Sequence, residues 1–291
     1  MKSKKIKTIM VTALTGCMLL SVTVVASANG DSGYETYKSA AKNIASTDNA
    51  TFSTSFEVKD NGNINTSGTS VEKLENSNSS SITNIKIGDV TKETETSRID
   101  GKSIVKDGEN YYSRDGKDKE KNGRMEKKFD ASSSRAKLGE MVLDTLVGDV
   151  KNQFVVDGDT ISVNLEGAQI PEIAKLAISA AAEEGNNKKA NNKIEAGKDG
   201  LKEALNSIPN LKNVDIKSLS MTAKVNGSTL TDNSFKIVIT GDDESGVSHE
   251  IEVSVDATIS GVNSTKADSI DTTGKQVQTM QNKMDNKEQQ K

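Results

Sequence analysis

The chain has 291 residues, a formal net charge of −4, one Cys, one His, no Trp and 2 Pro. Aromatics make up only 3% of it, and the acidic balance excludes a nucleic-acid backbone binder, which needs a basic surface and stacking aromatics. Proline is too scarce for a collagen or a Pro-rich linker.

Residues 1–28 read as a bacterial secretory signal. Lys2, Lys4, Lys5 and Lys7 form a positive start, residues 8–25 are uncharged and mostly apolar, and Ala26-Ser27-Ala28 is a small-x-small cleavage site. The mature chain is expected to start at Asn29 and to be extracytoplasmic, secreted or associated with the cell wall. One alternative is an uncleaved anchor: the uncharged run is just long enough to span a bilayer, but Thr8, Thr12, Thr15, Ser21 and Thr23 weaken it. A second is a membrane-anchored lipoprotein. Leu14-Thr15-Gly16-Cys17 resembles a lipobox, which implies lipidation at Cys17. Met18-Leu19-Leu20 continues the apolar run instead of turning polar, which favours Cys17 as a small apolar residue of the signal.

A helix is expected over 34–45, with Tyr34, Tyr37, Ala41 and Ile44 at helical spacing and Asp31 or Ser32 as its cap. From Ala50 the period changes to two. Ala50, Phe52, Thr54, Phe56 and Val58 face one way and Thr51, Ser53, Ser55 and Glu57 the other. Asn61-Gly62, Asp100-Gly101, Asp107-Gly108, Asp115-Gly116, Asn122-Gly123, Asp157-Gly158 and Asn226-Gly227 suit tight hairpins, because Asn, Asp and Gly tolerate positive φ. The polar runs 69–74, 81–87, 91–99, 103–106 and 110–114 between them read as a meander with one wet face. In Tyr111-Tyr112 one ring is expected in the core and the other on the wet face.

A helix follows over 132–147, striped by Leu138, Met141, Val142, Thr145 and Leu146. Strands over 153–157 and 160–165 precede a helix opening at Pro171, with Ile173, Leu176, Ala177 and Ala180 on its apolar face. Residues 184–197 are a polar excursion, and 201–208 a short helix ended by Pro209. The last meander alternates most clearly. Leu219, Met221, Ala223 and Val225, then Phe235, Ile237 and Ile239, then Ile251, Val253, Val255, Ala257 and Ile259 mark three strands. Val253→Asp is expected to unfold the chain, and Glu252→Lys to do little. From Thr272 the chain is polar, a disordered or loosely helical tail.

These elements make an α+β fold, a curved antiparallel sheet with helices packed on its concave face. The expected organisation is a signal peptide over 1–28, one domain over 29–271 and a tail over 272–291.

Enzymatic equipment is sparse. His249 is expected on the polar side of the last strand, solvated and without the oriented partner that general-base work needs. One His and no mature Cys cannot build a His/Cys zinc site. Neither a Gly-x-Ser-x-Gly elbow nor a Gly-rich phosphate loop occurs. The acids Asp115, Asp118 and Glu120, and Asp242, Asp243 and Glu244, depart from the calcium-loop pattern and read as solvated hairpin tips. No cofactor, metal or nucleic-acid partner is expected.

The helix before Asn49-Ala-Thr-Phe-Ser-Thr-Ser-Phe-Glu-Val-Lys-Asp-Asn-Gly62, and the strand–turn–strand Arg98-Ile-Asp-Gly-Lys-Ser-Ile-Val-Lys-Asp-Gly-Glu-Asn-Tyr-Tyr112, carry a resemblance. Their order resembles the extracytoplasmic lipoprotein and lipid carriers of the LolA and LppX type. The resemblance spans about 33–265 and implies an incomplete antiparallel barrel plugged by helices. Such carriers often line their cavity with aromatics, which are few here.

The expected function is that of an exported, non-enzymatic envelope protein holding a lipid or other hydrophobic ligand between sheet and helices. The expected lining is Phe52, Phe56, Val58, Phe235, Ile237, Ile251, Val253 and Val255. The alternative is a structural or interaction protein of the envelope, its core filled by these side chains and its partner another envelope protein. A hydrolase using dispersed carboxylates has the least support.

Overall fold

The structure is a computed structural model that describes residues 33–115, 148–172, 175, 209 and 211–279. The signal segment with Cys17, the cap at Asp31 or Ser32, the turns at Gly116 and Asn122-Gly123, the helices over 132–147 and 201–208, and the excursion 184–197 lie outside the described residues. Of the helix opening at Pro171, Glu172 and Lys175 are helical, and the Lys175 N–H donates to the Pro171 carbonyl at 3.2 Å.

Helix α1 (Gly33–Ala45) buries Tyr34, Tyr37, Ala40, Ala41 and Ile44. Their spacing of three and four puts them on one stripe. Two meanders follow. The first comprises β1 (Asn49–Asp60), β2 (Asn63–Glu75), β3 (Asn78–Ile87), β4 (Val90–Ile99), β5 (Lys102–Asp107) and β6 (Asn110–Asp115). The second comprises β7 (Val155–Asp157), β8 (Thr160–Glu166), β9 (Lys212–Asn226), β10 (Thr229–Asp242) and β11 (Ser248–Ser260). A last strand, β12 (Val277–Thr279), closes the described chain.

Turn chemistry sets the hairpins. Asn61 and Gly62 have φ of 49° and 82°, and Asp100 and Gly101 of 50° and 78°. Two consecutive positive φ values make the turn whose twist matches the flanking strands.

Antiparallel pairing of β1 with β11 joins the meanders into one sheet, twelve-stranded among the described residues and ordered β12-β6-β5-β4-β3-β2-β1-β11-β10-β9-β8-β7. The sheet stays open, and the parallel pairing of β12 with β6 makes it mixed. A twisted sheet this wide has to curve, and bulges after Val58, Leu230, Val238 and Thr240 add twist. Both edges are three-residue strands, β7 and β12, a device that blunts edge-to-edge association.

The two faces differ sharply. On one, Ile161, Val163 and Leu165 of β8, Met221 and Ala223 of β9, Phe235, Ile237 and Ile239 of β10, and Ile251, Val253 and Val255 of β11 are buried in one cluster with α1. The register carries that face into the first meander, where it turns to hydroxyls: Thr54, Ser70, Thr83 and Thr94 form one cross-strand row. The Ser70 and Thr83 hydroxyls lie 3.0 Å apart, and those of Ser81 and Thr96 2.7 Å apart. The alternation therefore held in both meanders, but in the first the buried positions include hydroxyls, Thr66, Ser80, Thr94 and Ser97 among them.

Beyond β11, residues 261–276 cross the first meander on the face away from α1. Asn49 clasps Thr265, donating to its carbonyl at 3.0 Å and accepting from its N–H at 2.8 Å. The Ala267 N–H donates to Glu75 at 3.0 Å, the Asp268 N–H to Ser80 Oγ at 2.9 Å, and Lys73 to the Asp268 carboxylate at 2.7 Å. The sequence reading of a disordered or loosely helical tail from Thr272 is corrected for Val277–Thr279, which pair with Tyr111–Ser113. Three polar-flanked residues are too few for periodicity to reveal a strand. Residues 280–291 lie outside the described residues.

Candidate functional site

The eight side chains expected to line a ligand site lie on the α1 face. Val58, Phe235, Ile237, Ile251, Val253 and Val255 are buried within the core cluster, and Phe52 and Phe56 are partly buried against it. All eight come together, and six of them are core. The Phe52 and Phe56 positions mark the seam between apolar and hydroxyl-lined halves of the face. In the cross-strand row of Phe52 lies Glu72, paired with Phe52 and Ser81. Burial pushes its carboxyl above the ordinary carboxylate range.

An open groove of about 520 Å³ lies on the opposite face. Two adjoining cross-strand rows build it. Ser254, Glu57, Ser67, Lys86 and Thr91 form one; Asp256, Ser55, Thr69 and Asn84 form the other. Because side chains alternate along a strand, alternate residues of five neighbouring strands face this groove. The chain's Ser- and Thr-rich parity in β1 and β2 is the sequence signal for it, but the rows exist only once register is known.

Gly68 forms part of the groove floor, and its strand partner Phe56 lies on the α1 side. A Cβ at Gly68 would stand 2.5 Å from Phe56 Cε1 and 2.7 Å from the Asn84 carbonyl oxygen. Only glycine leaves room for the ring and the neighbouring backbone there. One row along from the groove, the cross-strand partners Val71 and Ile82 are 38% and 43% exposed. They set an apolar step beside a polar floor.

On the same face the Glu252 carboxylate sits between Lys236 at 2.6 Å and Lys59 at 3.1 Å. The Lys236 and Lys59 ammoniums hold its carboxyl below the ordinary range. Glu252→Lys would place three ammoniums together, so the sequence expectation that it does little is revised: an exposed-parity charge can still be a partner.

His249 also departs from expectation. It lies on the parity of Ile251, not the polar one, and its side chain is 14% exposed. Its Nδ1 lies 2.8 and 2.9 Å from the two Asp60 oxygens, and Nε2 lies 3.7 Å from Asp243. The hydrogen bond to Asp60, then attraction to Asp60 and Asp243, raises its pKa against the opposing cost of burial. The partner is Asp60 from a strand 189 positions away, which no local pattern shows.

The acids of the β10–β11 turn are structural. Asp243 accepts from the N–H groups of Ser245 at 2.8 Å and Val247 at 2.9 Å. Asp242 accepts from Ser248 Oγ at 2.8 Å and Asn213 Nδ2 at 3.2 Å. Among the described residues, no three His, Cys, Asp or Glu side chains form a metal-binding group. Tyr111 is buried and Tyr112 partly buried; Asp118 and Glu120 lie outside the described residues.

No protein-family model matches the chain. No curated protein matches it. Among solved structures, it aligns with a chain assigned as a thioesterase II from Thermobifida fusca YX at 9% identity and a TM-score of 0.11, covering 84% of this chain and 97% of that one. So low a score carries no argument about fold or activity.

Proposed function

We propose that this is an exported, non-enzymatic protein of the cell envelope that binds a partner protein through the polar face of its sheet. The observation that carries this reading is the groove of about 520 Å³ with its hydroxyl, carboxylate, amide and ammonium floor. Val71 and Ile82 beside it add exposed apolar surface to a polar floor, the mixed composition of an interface. The core filled by Val58, Phe235, Ile237, Ile251, Val253 and Val255 supplies the rigid scaffold behind it.

Photo-crosslinking in cells tests the reading. A photoreactive residue at Thr69 should trap one envelope protein, and a second substitution, Ile82→Asp, should abolish the adduct. The same probe at the exposed Val247 should trap none. Equal labelling from both positions, or an adduct indifferent to Ile82→Asp, removes the reading.

A second reading is a carrier resembling the LolA and LppX type, an incomplete barrel whose helices pack on a concave face and enclose a lipid. Phe52 and Phe56, partly buried at the seam with hydroxyls and Glu72, favour it. An amphipathic ligand would set its chain on the rings and its head on the hydroxyls. Native mass spectrometry of the secreted protein decides it: a lipid adduct lost in Phe52→Ser supports this reading, and bare protein refutes it.

A further inference from the structure

We propose that the outer edge of β6 is a strand-acceptor site, that β12 is its built-in occupant, and that the same segment of a second copy of the chain can replace it. The edge strand is held by little. Among the described residues it pairs through Val277, Gln278 and Thr279, opposite Tyr111, Tyr112 and Ser113, and it is the one strand there that pairs in parallel. None of its three residues is buried.

The connector before it divides into two parts. As far as Asp268 it is tied to β1, β2 and β3 through Asn49, Glu75, Ser80 and Lys73. From Ser269 to β12 no residue is buried. Within it the Lys275 N–H donates to the Thr272 carbonyl and the Thr273 N–H to the Asp271 carboxylate, both local bonds, and Lys275 stands 5.8 Å over the Tyr111 ring. A short, exposed strand that follows an exposed arm can leave without disturbing the core.

The β6 backbone would then offer unpaired N–H and C=O groups to another extended segment. The segment that pairs with it, in register, is Val277–Thr279. Tethering gives a chain's own β12 an effective concentration on the order of millimolar, so a free copy competes poorly until the tethered strand is disabled.

The test uses the full chain and a fluorescent peptide spanning 268–279. In Val277→Pro or Gln278→Pro, the added ring removes an N–H and blocks self-pairing. The peptide should bind at least one variant ten times more tightly than it binds the wild type. That binding should slow hydrogen exchange at Tyr111, Tyr112 and Ser113. Affinity no better than wild type in both variants, or binding that leaves those three amides unprotected, overturns the proposal. So does unfolding of both variants, since a displaceable strand cannot be essential to the fold.

Discussion

His249 Nδ1 sits 2.8 Å from Asp60 Oδ1, tying the start of β11 to the end of β1 where the two meanders meet. The Asp60 hydrogen bond and charge raise the pKa of the imidazole, with Asp243 adding to the effect. A raised pKa in the folded state means the folded chain holds the proton more tightly than the unfolded one. The resulting stability is therefore present below the ordinary His value, about 6.5, and fades as pH rises through the higher folded value. His249→Gln should lower the melting temperature most near about pH 5.5, with the gap closing at alkaline pH. As the chain has one histidine, its ring proton can be followed directly by NMR. Its titration midpoint should lie above the ordinary value and fall in Asp60→Asn; an unmoved midpoint would sink the assignment.

Gly68 and Phe56 share a cross-strand pair, and the ring occupies the space a side chain at 68 would take. Gly68→Ala should destabilise by about 1–3 kcal/mol, the usual range for overpacking. Shrinking the ring should relieve the clash, so Gly68→Ala with Phe56→Leu should cost less than the sum of the single changes. Simple additivity in chemical denaturation would show that the ring and the glycine are not coupled.

Val253 is fully buried, whereas its neighbour Glu252 points to the other face between two lysines. Val253→Asp should cost about 4 kcal/mol or more, because a buried carboxylate there has no partner. Glu252→Gln should cost no more than about 1 kcal/mol, and added salt should shrink the difference. Glu252→Lys should be worse than Glu252→Gln and should improve with salt. A salt-independent ranking would mean that charge is not what Glu252 contributes.

The strands were readable because each depends on information within about ten residues. Strict alternation at Ile251, Val253 and Val255 fixed a buried face, and Asn61-Gly62 fixed a hairpin. What remained hidden depends on pairing between distant strands. The join of β1 to β11 brings Asp60 to His249 and Ser55 to Asp256, and neither the histidine's partner nor the groove floor exists before that join. The eight expected lining residues share one face, but alternation alone does not distinguish a filled core from a lined cavity. Strand β12 was missed because its three residues carry no periodic signal and gain their conformation from Tyr111–Ser113.

Asn49 holds the chain beyond β11 by both of its amide atoms, through the N–H and the carbonyl of Thr265. The Thr265 hydroxyl adds a 2.8 Å bond to Thr51. Asn49→Ala would leave both backbone groups without that partner in a partly buried place, at a cost of about 1–3 kcal/mol. Asn49→Asp should be worse than its size suggests. The carboxylate can still accept from the Thr265 N–H, but it turns an oxygen, not an N–H, toward the Thr265 carbonyl. Native-state hydrogen exchange gives the local reading: the Thr265 and Asp268 amides should exchange faster in Asn49→Ala, while Val253 in the core keeps its protection apart from the global loss. If Thr265 and Val253 accelerate equally, the segment unfolds only with the whole sheet and is not a separately held strap.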